Sequence, residues 1–172
     1  ILVSDYAKGT VTQALIIDIK ALAKKKGIPL LIDPKPKHKL WYIGCTLITP
    51  NKKEAEEMVG YQLSSKEEIE RAGKALTQEL DCHVLLTLGE KGMSLFEKGK
   101  PALHIPTVAQ KVYDVSGAGD TVIATLALAL ASGMPLNQAA ALANQAAGIK
   151  VGKVGTAPVA YEELKEHASH LS

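Results

Sequence analysis

The sequence predicts an α/β fold in which a mostly parallel β-sheet carries helices on both faces. Short apolar runs such as residues 29–33 alternate along the chain with longer stretches of helical periodicity, the pattern of strands joined by crossover helices. These runs are continuous rather than alternating, as expected for strands that are buried on both faces. The length of 172 residues, with 47% hydrophobic and 22% charged residues, suits one domain with its own core.

The first 50 residues are predicted to contain three buried strands, one helix and one basic loop. The helix is expected to bury an apolar stripe that includes Ala14, Leu15, Ile17 and Leu22. The predicted elements, in order, are a strand over residues 1–5, a helix that begins at Thr10 or Thr12 and ends at about Lys26 before Gly27, a strand over 29–33, a solvent-facing basic loop over 34–39 and a strand over 46–49.

The rest of the chain, from residue 51 onward, is predicted to be richer in helix and to contain one hairpin. Residues 93–97 and 102–105 form the two hairpin strands across a Lys-Gly-Lys-Pro turn. The run over 122–131 is rich in Ala and Leu, so it is expected to be a helix that is buried on most sides. The remaining predicted elements are helices over 51–59, 66–78, 137–151 and 161–170, and a strand over 83–87 followed by a turn over 88–92.

Bulk properties of the chain exclude several classes of function. The net charge of +2 is too small to make nucleic acid or an anionic membrane the main partner. The longest apolar run is about half the ~20 residues that a membrane-spanning helix needs. Cys45 and Cys82 make no disulfide framework and no signal peptide is recognisable, which favours a cytoplasmic setting. Because the chain opens inside a strand without an initiator Met, we expect a fragment whose upstream part is missing.

The stretch around which the chain is organised is Asp-Val-Ser-Gly-Ala-Gly-Asp-Thr, residues 114–121, directly before the apolar helix. Gly117, Ala118 and Gly119 have almost no side chain to block an anion, so the free N–H groups at the helix start can point at a phosphate. Asp120 places a carboxylate, a candidate base, beside this anion hole. A capped helix start is the competing interpretation, and the sequence contains neither the dinucleotide fingerprint nor the nucleotide P-loop.

Three other stretches suggest a binding site. Two of them follow predicted strands, beyond whose ends the ligands of parallel sheets bind, and the third lies on the Ala-rich helix. Asn51 and Glu54 form either a capping box or, with the two lysines between them, a phosphate and Mg²⁺ site. The glycines of residues 87–92 serve either a hairpin entry or the close approach of a nucleotide. The small residues of 144–148 serve either close helix packing or a shelf for a flat base, with Asn144 beside it.

The four motifs occur in the order Asn-x-x-Glu, Thr-Leu-Gly-x-x-Gly, Asp-x-x-Gly-Ala-Gly-Asp and Asn-x-Ala-Ala-Gly, over roughly residues 49–156. In this order they resemble the ATP-binding half of the ribokinase-type (PfkB) carbohydrate kinases. The resemblance implies a ribokinase-like three-layer α/β/α fold, present here as a partial domain. Residues 1–172 would be its ATP-binding portion, without the N-terminal part that supplies the sugar site and its lid. We therefore expect this polypeptide alone to phosphorylate nothing.

Three further stretches, at residues 4–9, 33–35 and 152–156, narrow the resemblance within the family. They are similar to the kinase domain of bacterial enzymes that phosphorylate heptose 7-phosphate for the ADP-heptose of lipopolysaccharide. This similarity implies ATP and Mg²⁺ as cofactors, K⁺ in many members, and a phosphorylated sugar as acceptor; it allows for a homo-oligomer. Two alternatives stay open, namely another sugar kinase of the family, such as a fructokinase or ribokinase, and a non-catalytic nucleotide-binding module.

The resemblance also implies a role for individual residues. Asp120 would be the base that takes the proton from the sugar hydroxyl. Lys8 and Lys35 follow strand ends and could reach a phosphate of the nucleotide or of the sugar, although exposed, solvated side chains are expected. The N–H groups of Gly117, Ala118 and Gly119 would bind the transferred phosphoryl group, and the nucleotide phosphates would be bound by Asn51, Lys52, Lys53 and Glu54, with Glu54 as the Mg²⁺ contact. The nucleotide cleft would be lined by Thr87, Gly89 and Gly92, with Asn144 near the base. A monovalent cation would be bound by Asp114 and backbone carbonyls of residues 150–156.

Overall fold

The fold is a six-stranded sheet with helices on both faces, seen in a computed structural model that describes residues 1–109, 112–155 and 157–168. Two short 3₁₀ helices, Pro36–Tyr42 and Gly89–Lys91, complement the strands and α-helices. The strands and α-helices, in chain order, are β1 (Leu2–Ser4), α1 (Gln13–Lys26), β2 (Leu31–Asp33), β3 (Leu47–Ile48), α2 (Lys52–Val59), α3 (Lys66–Leu80), β4 (His83–Thr87), β5 (Met93–Phe96), β6 (Leu103–Ile105), α4 (Ala118–Ala131), α5 (Leu136–Val151) and α6 (Tyr161–Ala168).

The strands lie side by side in the order in which they occur along the chain. β1 to β4 are parallel to one another, and in their register Leu31 pairs with both Leu2 and Leu47. β5 and β6 add the antiparallel hairpin that the sequence predicts. The carboxyl ends of the four parallel strands therefore meet at one edge of the sheet, where ligands of such folds bind.

Two hydrophobic cores lie on opposite faces of the sheet. Successive residues of a strand point to opposite faces, so Ile32 packs toward the α1–α3 side and Leu31 toward the α4–α5 side. Both side chains are fully buried. The prediction of helices on both faces is confirmed, and α4 and α5, which pack along each other, form the layer next to the candidate site.

The buried faces predicted for two helices, the apolar stripe of α1 and the burial of α4 on most sides, are wrong in detail. α1 begins after its N-cap Thr12 and ends at Gly27, as the sequence predicts. It is Ile16 and Ala23 that are buried, however, whereas the predicted stripe of Ala14, Leu15, Ile17 and Leu22 is exposed, with Ile17 at 56%. Apolar residues occur all around this helix, so periodicity alone does not identify the buried face. α4 buries one face only, and its Leu128 is 75% exposed.

The segment predicted as a solvent-facing basic loop is instead a 3₁₀ helix that is anchored in the core. Asp5, at the end of β1, is fully buried and accepts hydrogen bonds of 2.7 Å from His38 and from the hydroxyl of Tyr42. The His38 ring stacks on Trp41 with 3.6 Å between ring centroids. Burial alone would raise the pKa of Asp5, but the hydrogen bonds from His38 and Tyr42 outweigh it and hold that pKa below its usual value.

The helices of the C-terminal third lie close to their predicted positions. α5 begins one residue before the predicted helix and ends at the same residue, Val151. α6 begins at Tyr161 as predicted, and the last two residues of the prediction, 169 and 170, lie outside the described residues. In the described part of the chain, none of the helices combines the length and apolarity needed to cross a membrane.

Candidate active site

A cleft of about 740 Å³ opens at the edge of the sheet where β3 and β4 end. Its walls come from the start of α2, the turn between β4 and β5, the start of α4 and the middle of α5. The structure thus brings together residues from all four sequence motifs. The predicted site residues that line the cleft are Asn51, Lys52, Lys53, Thr87, Gly89, Gly92, Ala118, Gly119 and Asn144.

The Asn-x-x-Glu motif forms the capping box that the sequence allows. The Asn51 carboxamide oxygen accepts from the backbone N–H of Glu54 at 3.0 Å, and the Glu54 carboxylate accepts from the N–H of Asn51 at 3.0 Å. The cap fixes where α2 begins, and it leaves Lys52 and Lys53 on the cleft wall. Capping and ligand binding are therefore compatible here, because the cap positions two cationic side chains at the cleft.

An ion pair lies next to this cap. Lys35 was expected to be solvated, but its ammonium donates to the second oxygen of the buried Glu54 carboxylate. The hydrogen bond to Glu54 raises the pKa of Lys35 above its usual value. Both oxygens of Glu54 thus have protein donors, so a contact of Glu54 with Mg²⁺ would run through the metal's water shell or require Lys35 to move.

Asp33, the last residue of β2, is a half-buried carboxylate for which the sequence alone suggests no role. Its pKa is raised to about 6 by burial and by the negative charge of Glu54, and the charge of Asp120 adds to the shift. The Ser4 hydroxyl donates to it at 3.3 Å. Its position at the carboxyl end of a parallel strand is the signal that could have identified it.

These carboxylates do not by themselves make a metal site. Among the described residues, no group of three or more His, Cys, Asp or Glu side chains is arranged to hold a metal ion. Mg²⁺ in phosphoryl-transfer sites is usually held by one or two carboxylates together with phosphates of the substrate. Asp33 and Glu54 fit such a shared site, in which the nucleotide would provide the remaining oxygens.

The octapeptide forms a tight turn that leads into α4. The Asp114 carboxylate accepts from the N–H of Ser116 at 2.8 Å, and Gly117 adopts a left-handed conformation with φ of 76°. Ala118 donates its N–H to the Val115 carbonyl at 3.2 Å, so this amide is directed into the turn. Asp120 is exposed in the first turn of α4, and its negative charge makes a small contribution to the raised pKa of Asp33.

The opposite wall of the cleft depends on small residues of α5. A Cβ on Gly148 would lie 2.7 Å from Val108, so only glycine lets the segment after β6 pack this closely. The buried Asn144 donates from its amide nitrogen to the Pro106 carbonyl at 2.7 Å, and this bond ties the same segment to α5. Close packing is thus one function of the small residues, and the resulting apolar surface, with Val122 and Val151, suits a flat ring.

Gly92 closes the turn between β4 and β5. Its φ of 79° and ψ of −133° lie in a region that only glycine adopts readily. A Cβ there would lie 2.2 Å from the Ile105 carbonyl oxygen. The backbone of β5 therefore approaches the end of β6 directly, and the cleft wall is built from main chain.

The sequence matches a known protein family. The family model described as pfkB family carbohydrate kinase matches residues 2–163 of the chain. The chain belongs to this family. Two sequence relatives are named Bifunctional protein HldE: the protein from Syntrophotalea carbinolica is 48% identical over 171 residues, 99% of this chain, and that from Shewanella sediminis is 52% identical over 165 residues, 95% of this chain. The chain spans about a third of the length of these relatives, 35% and 34%.

Solved structures of pfkB-type kinases share the fold. Phosphofructokinase-2 from Escherichia coli in complex with potassium superimposes with a TM-score of 0.85 at 18% identity, over 99% of this chain and 56% of that one. Ribokinase from Arabidopsis thaliana with ribose and ATP gives a TM-score of 0.81 at 23% identity, over 97% of this chain and 55% of that one. The ribokinase-like α/β fold predicted from the sequence is thereby confirmed, and the chain corresponds to part of such a domain.

Proposed function

We propose that this chain carries the nucleotide side of an ATP-dependent kinase that phosphorylates a sugar hydroxyl. The observation that supports the proposal most is the cleft itself, which gathers two lysines at the start of α2, the small residues at the start of α4 and an apolar wall on α5. Cations and helix N-termini stabilise phosphates, and an apolar wall suits an adenine ring. The nucleotide therefore lies with its base toward Asn144 and its phosphates toward Lys52, Lys53 and Gly119.

Within this proposal, catalysis consists of positioning and charge neutralisation. The transferred phosphoryl group passes through a loose transition state with little covalent demand on the protein. The N–H groups of Gly117 and Gly119 stabilise the charge on that group, whereas the N–H of Ala118, expected to join them, is used within the turn. Asp120 accepts the proton of the attacking hydroxyl late in the transfer. When bound, Mg²⁺ supplies positive charge between the phosphates, and Asp33 and Glu54 are the residues that would hold its water shell.

The proposed acceptor is heptose 7-phosphate, which becomes the 1,7-bisphosphate. Two observations support this choice over other sugars: the similarity of residues 4–9, 33–35 and 152–156 to heptose kinases, and identities of 48% to 52% to the HldE proteins. As a kinase that consumes ATP, the protein would act in the bacterial cytoplasm. A homo-oligomer is part of the same proposal, since phosphofructokinase-2 from Escherichia coli has a tetrameric form.

The test is ADP release by the intact protein with Mg-ATP and a panel of acceptors. We expect turnover with heptose 7-phosphate, and a higher kcat/KM for it than for fructose 6-phosphate or ribose. If the protein prefers one of the other sugars, the proposed acceptor is wrong but the proposed kinase activity stands. If the protein binds ATP but transfers to none of the acceptors, the alternative of a non-catalytic nucleotide-binding module is correct.

A further inference from the structure

Lys150 is a buried cation that the proposed mechanism does not use. It lies in the last turn of α5, only 3% of the residue is exposed, and its ammonium donates to the Gly155 carbonyl at 2.7 Å. A Cβ placed on Gly117 would lie 3.4 Å from its Cε. The side chain therefore runs from α5 across the back of the turn that begins α4, directly behind the anion hole.

The loops around Lys150 form one compact cluster of oxygen atoms. Tyr113 and Asp114 both donate their N–H groups to the Val151 carbonyl, at 2.7 and 3.3 Å. Hydrogen bonds from Ser116 lower the pKa of Asp114, and attraction to the Lys150 charge lowers it further. Lys150 thus bonds directly to the Gly155 carbonyl, and its charge also acts on the nearby Asp114 carboxylate.

This cluster overlaps the position that the family resemblance implies for a monovalent cation, namely Asp114 with carbonyls of residues 150–156, of which residue 156 lies outside the described residues. A K⁺ ion would need those same oxygens as ligands. It would also lie beside an ammonium that is buried, where repulsion between like charges is only weakly screened. The residues present therefore do not fit a K⁺ ion at this position.

We propose that the ammonium of Lys150 is a tethered replacement for the monovalent cation, so that nucleotide binding in this protein is independent of K⁺. Lys150 is a positioning residue: it neutralises Asp114, holds the turn at 113–117 against the end of α5 and adds positive potential behind Gly117. The inference rests on the proposed function, because it assigns a task at the same nucleotide site. A simpler role is that of a basic residue at a helix C-terminus, which stabilises the last turn through the helix dipole.

Cation dependence separates the two roles. In the intact protein, Lys150→Met removes the charge but keeps an unbranched apolar stem, and Lys150→Arg keeps the charge. The affinity for a non-hydrolysable ATP analogue with Mg²⁺ is measured by calorimetry in KCl and in tetramethylammonium chloride at equal ionic strength. Tm is measured in the same salts without nucleotide. Lys153→Met is the matched control, because that ammonium bonds to the Pro158 carbonyl and to Glu163 outside the cluster.

We expect the unmodified protein, Lys150→Arg and Lys153→Met to show the same affinity in both salts. In tetramethylammonium chloride, Lys150→Met should bind the analogue roughly tenfold more weakly than the unmodified protein does, a loss typical of removing a charge at a helix end. K⁺ should restore both the affinity and the Tm of this variant. K⁺ dependence of the unmodified protein would overturn the inference, and so would a loss in Lys150→Met that K⁺ does not restore. If neither the unmodified protein nor any variant binds the nucleotide analogue, the proposed function fails. Even then, the inference about Lys150 is supported if K⁺ raises the Tm of Lys150→Met and of no other protein in the set.

Discussion

Gly119→Ala is the substitution that best separates a phosphate site from a merely well-capped helix. Gly119 is the second residue of α4 and lines the cleft. A Cβ built on it meets no described atom within 4 Å, and its φ is not in the left-handed region. The folded protein can therefore accept a methyl group here without strain, and that methyl group projects from the segment on which we place the transferred phosphoryl group.

Both interpretations predict that Gly119→Ala raises stability, but only a phosphate site predicts that it lowers activity. Replacing glycine by alanine inside a helix stabilises a protein by about 0.5–1 kcal/mol, and 1 kcal/mol corresponds to about 2–4 °C in Tm for a chain of this size. If the N–H groups at the start of α4 bind the phosphoryl group, the methyl group displaces it from them. Loss of one such donor typically lowers kcat by ~10²–10³-fold.

The assay combines thermal unfolding with kcat and KM for sugar-dependent ADP release by the intact protein. Gly117→Ala is the matched control, because its φ of 76° is unfavourable for alanine. Alanine there should cost about 1–2 kcal/mol of stability. Gly119→Ala should thus be the more stable of the two variants and still lose most of its turnover. Full activity of Gly119→Ala would show that no phosphoryl group binds at this turn.

Three further predictions concern the carboxylates and the turn between β4 and β5. Asp120→Asn and Asp120→Ala should each lower kcat by ~10²–10⁴-fold with little change in nucleotide affinity measured by calorimetry; full turnover of the Asn variant would make Asp120 structural. Since the pKa of Asp33 rises from 3.8 to about 6 on folding, the folded state binds the proton more tightly and the free energy of unfolding falls as pH rises between these values. Asp33→Asn should therefore be more stable than the unmodified protein at pH 8 and not at pH 4 in urea titrations, and an equal difference at both pH values would contradict the shifted pKa. In the same titrations, Gly92→Ala should lower the free energy of unfolding by about 3 kcal/mol or more, because its Cβ would collide with the Ile105 carbonyl. The control Gly89→Ala, whose Cβ meets no described atom within 4 Å, should lower it by about 1 kcal/mol. Similar losses in the two variants would show that the collision relaxes.

Much of the fold and of the site could be predicted because the signals are local. The caps of α1 and α2 follow from Thr12 and from the Asn51–Glu54 spacing, whose hydrogen bonds form within four residues. The carboxyl ends of parallel strands meet at one edge by topology, so motifs that follow those strands had to converge. Six predicted residues at or after the ends of β3 and β4 accordingly line the cleft, and Ala118, Gly119 and Asn144 reach it from α4 and α5.

The misses depend on contacts between residues far apart in sequence. The burial of His38 is caused by Asp5, which lies 33 residues earlier, and a run of lysines gives no sign of that partner. The pairing of Lys35 with Glu54 likewise joins two neighbouring loops. For α1, the choice of Ile16 over Leu15 as the buried residue is made by the sheet and the 3₁₀ helix on which it packs, so the sequence of α1 alone leaves it undetermined.

The sheet also divides the interior into two cores that border the cleft to different extents. The cleft borders Met93 and Val122 of the core beneath α4 and α5, and it borders Leu88 of the other core. Leu76 and Leu80 belong to that other core and do not line the cleft. Substitutions at Leu76 can thus change thermal tolerance while the side chains that form the binding surface stay the same.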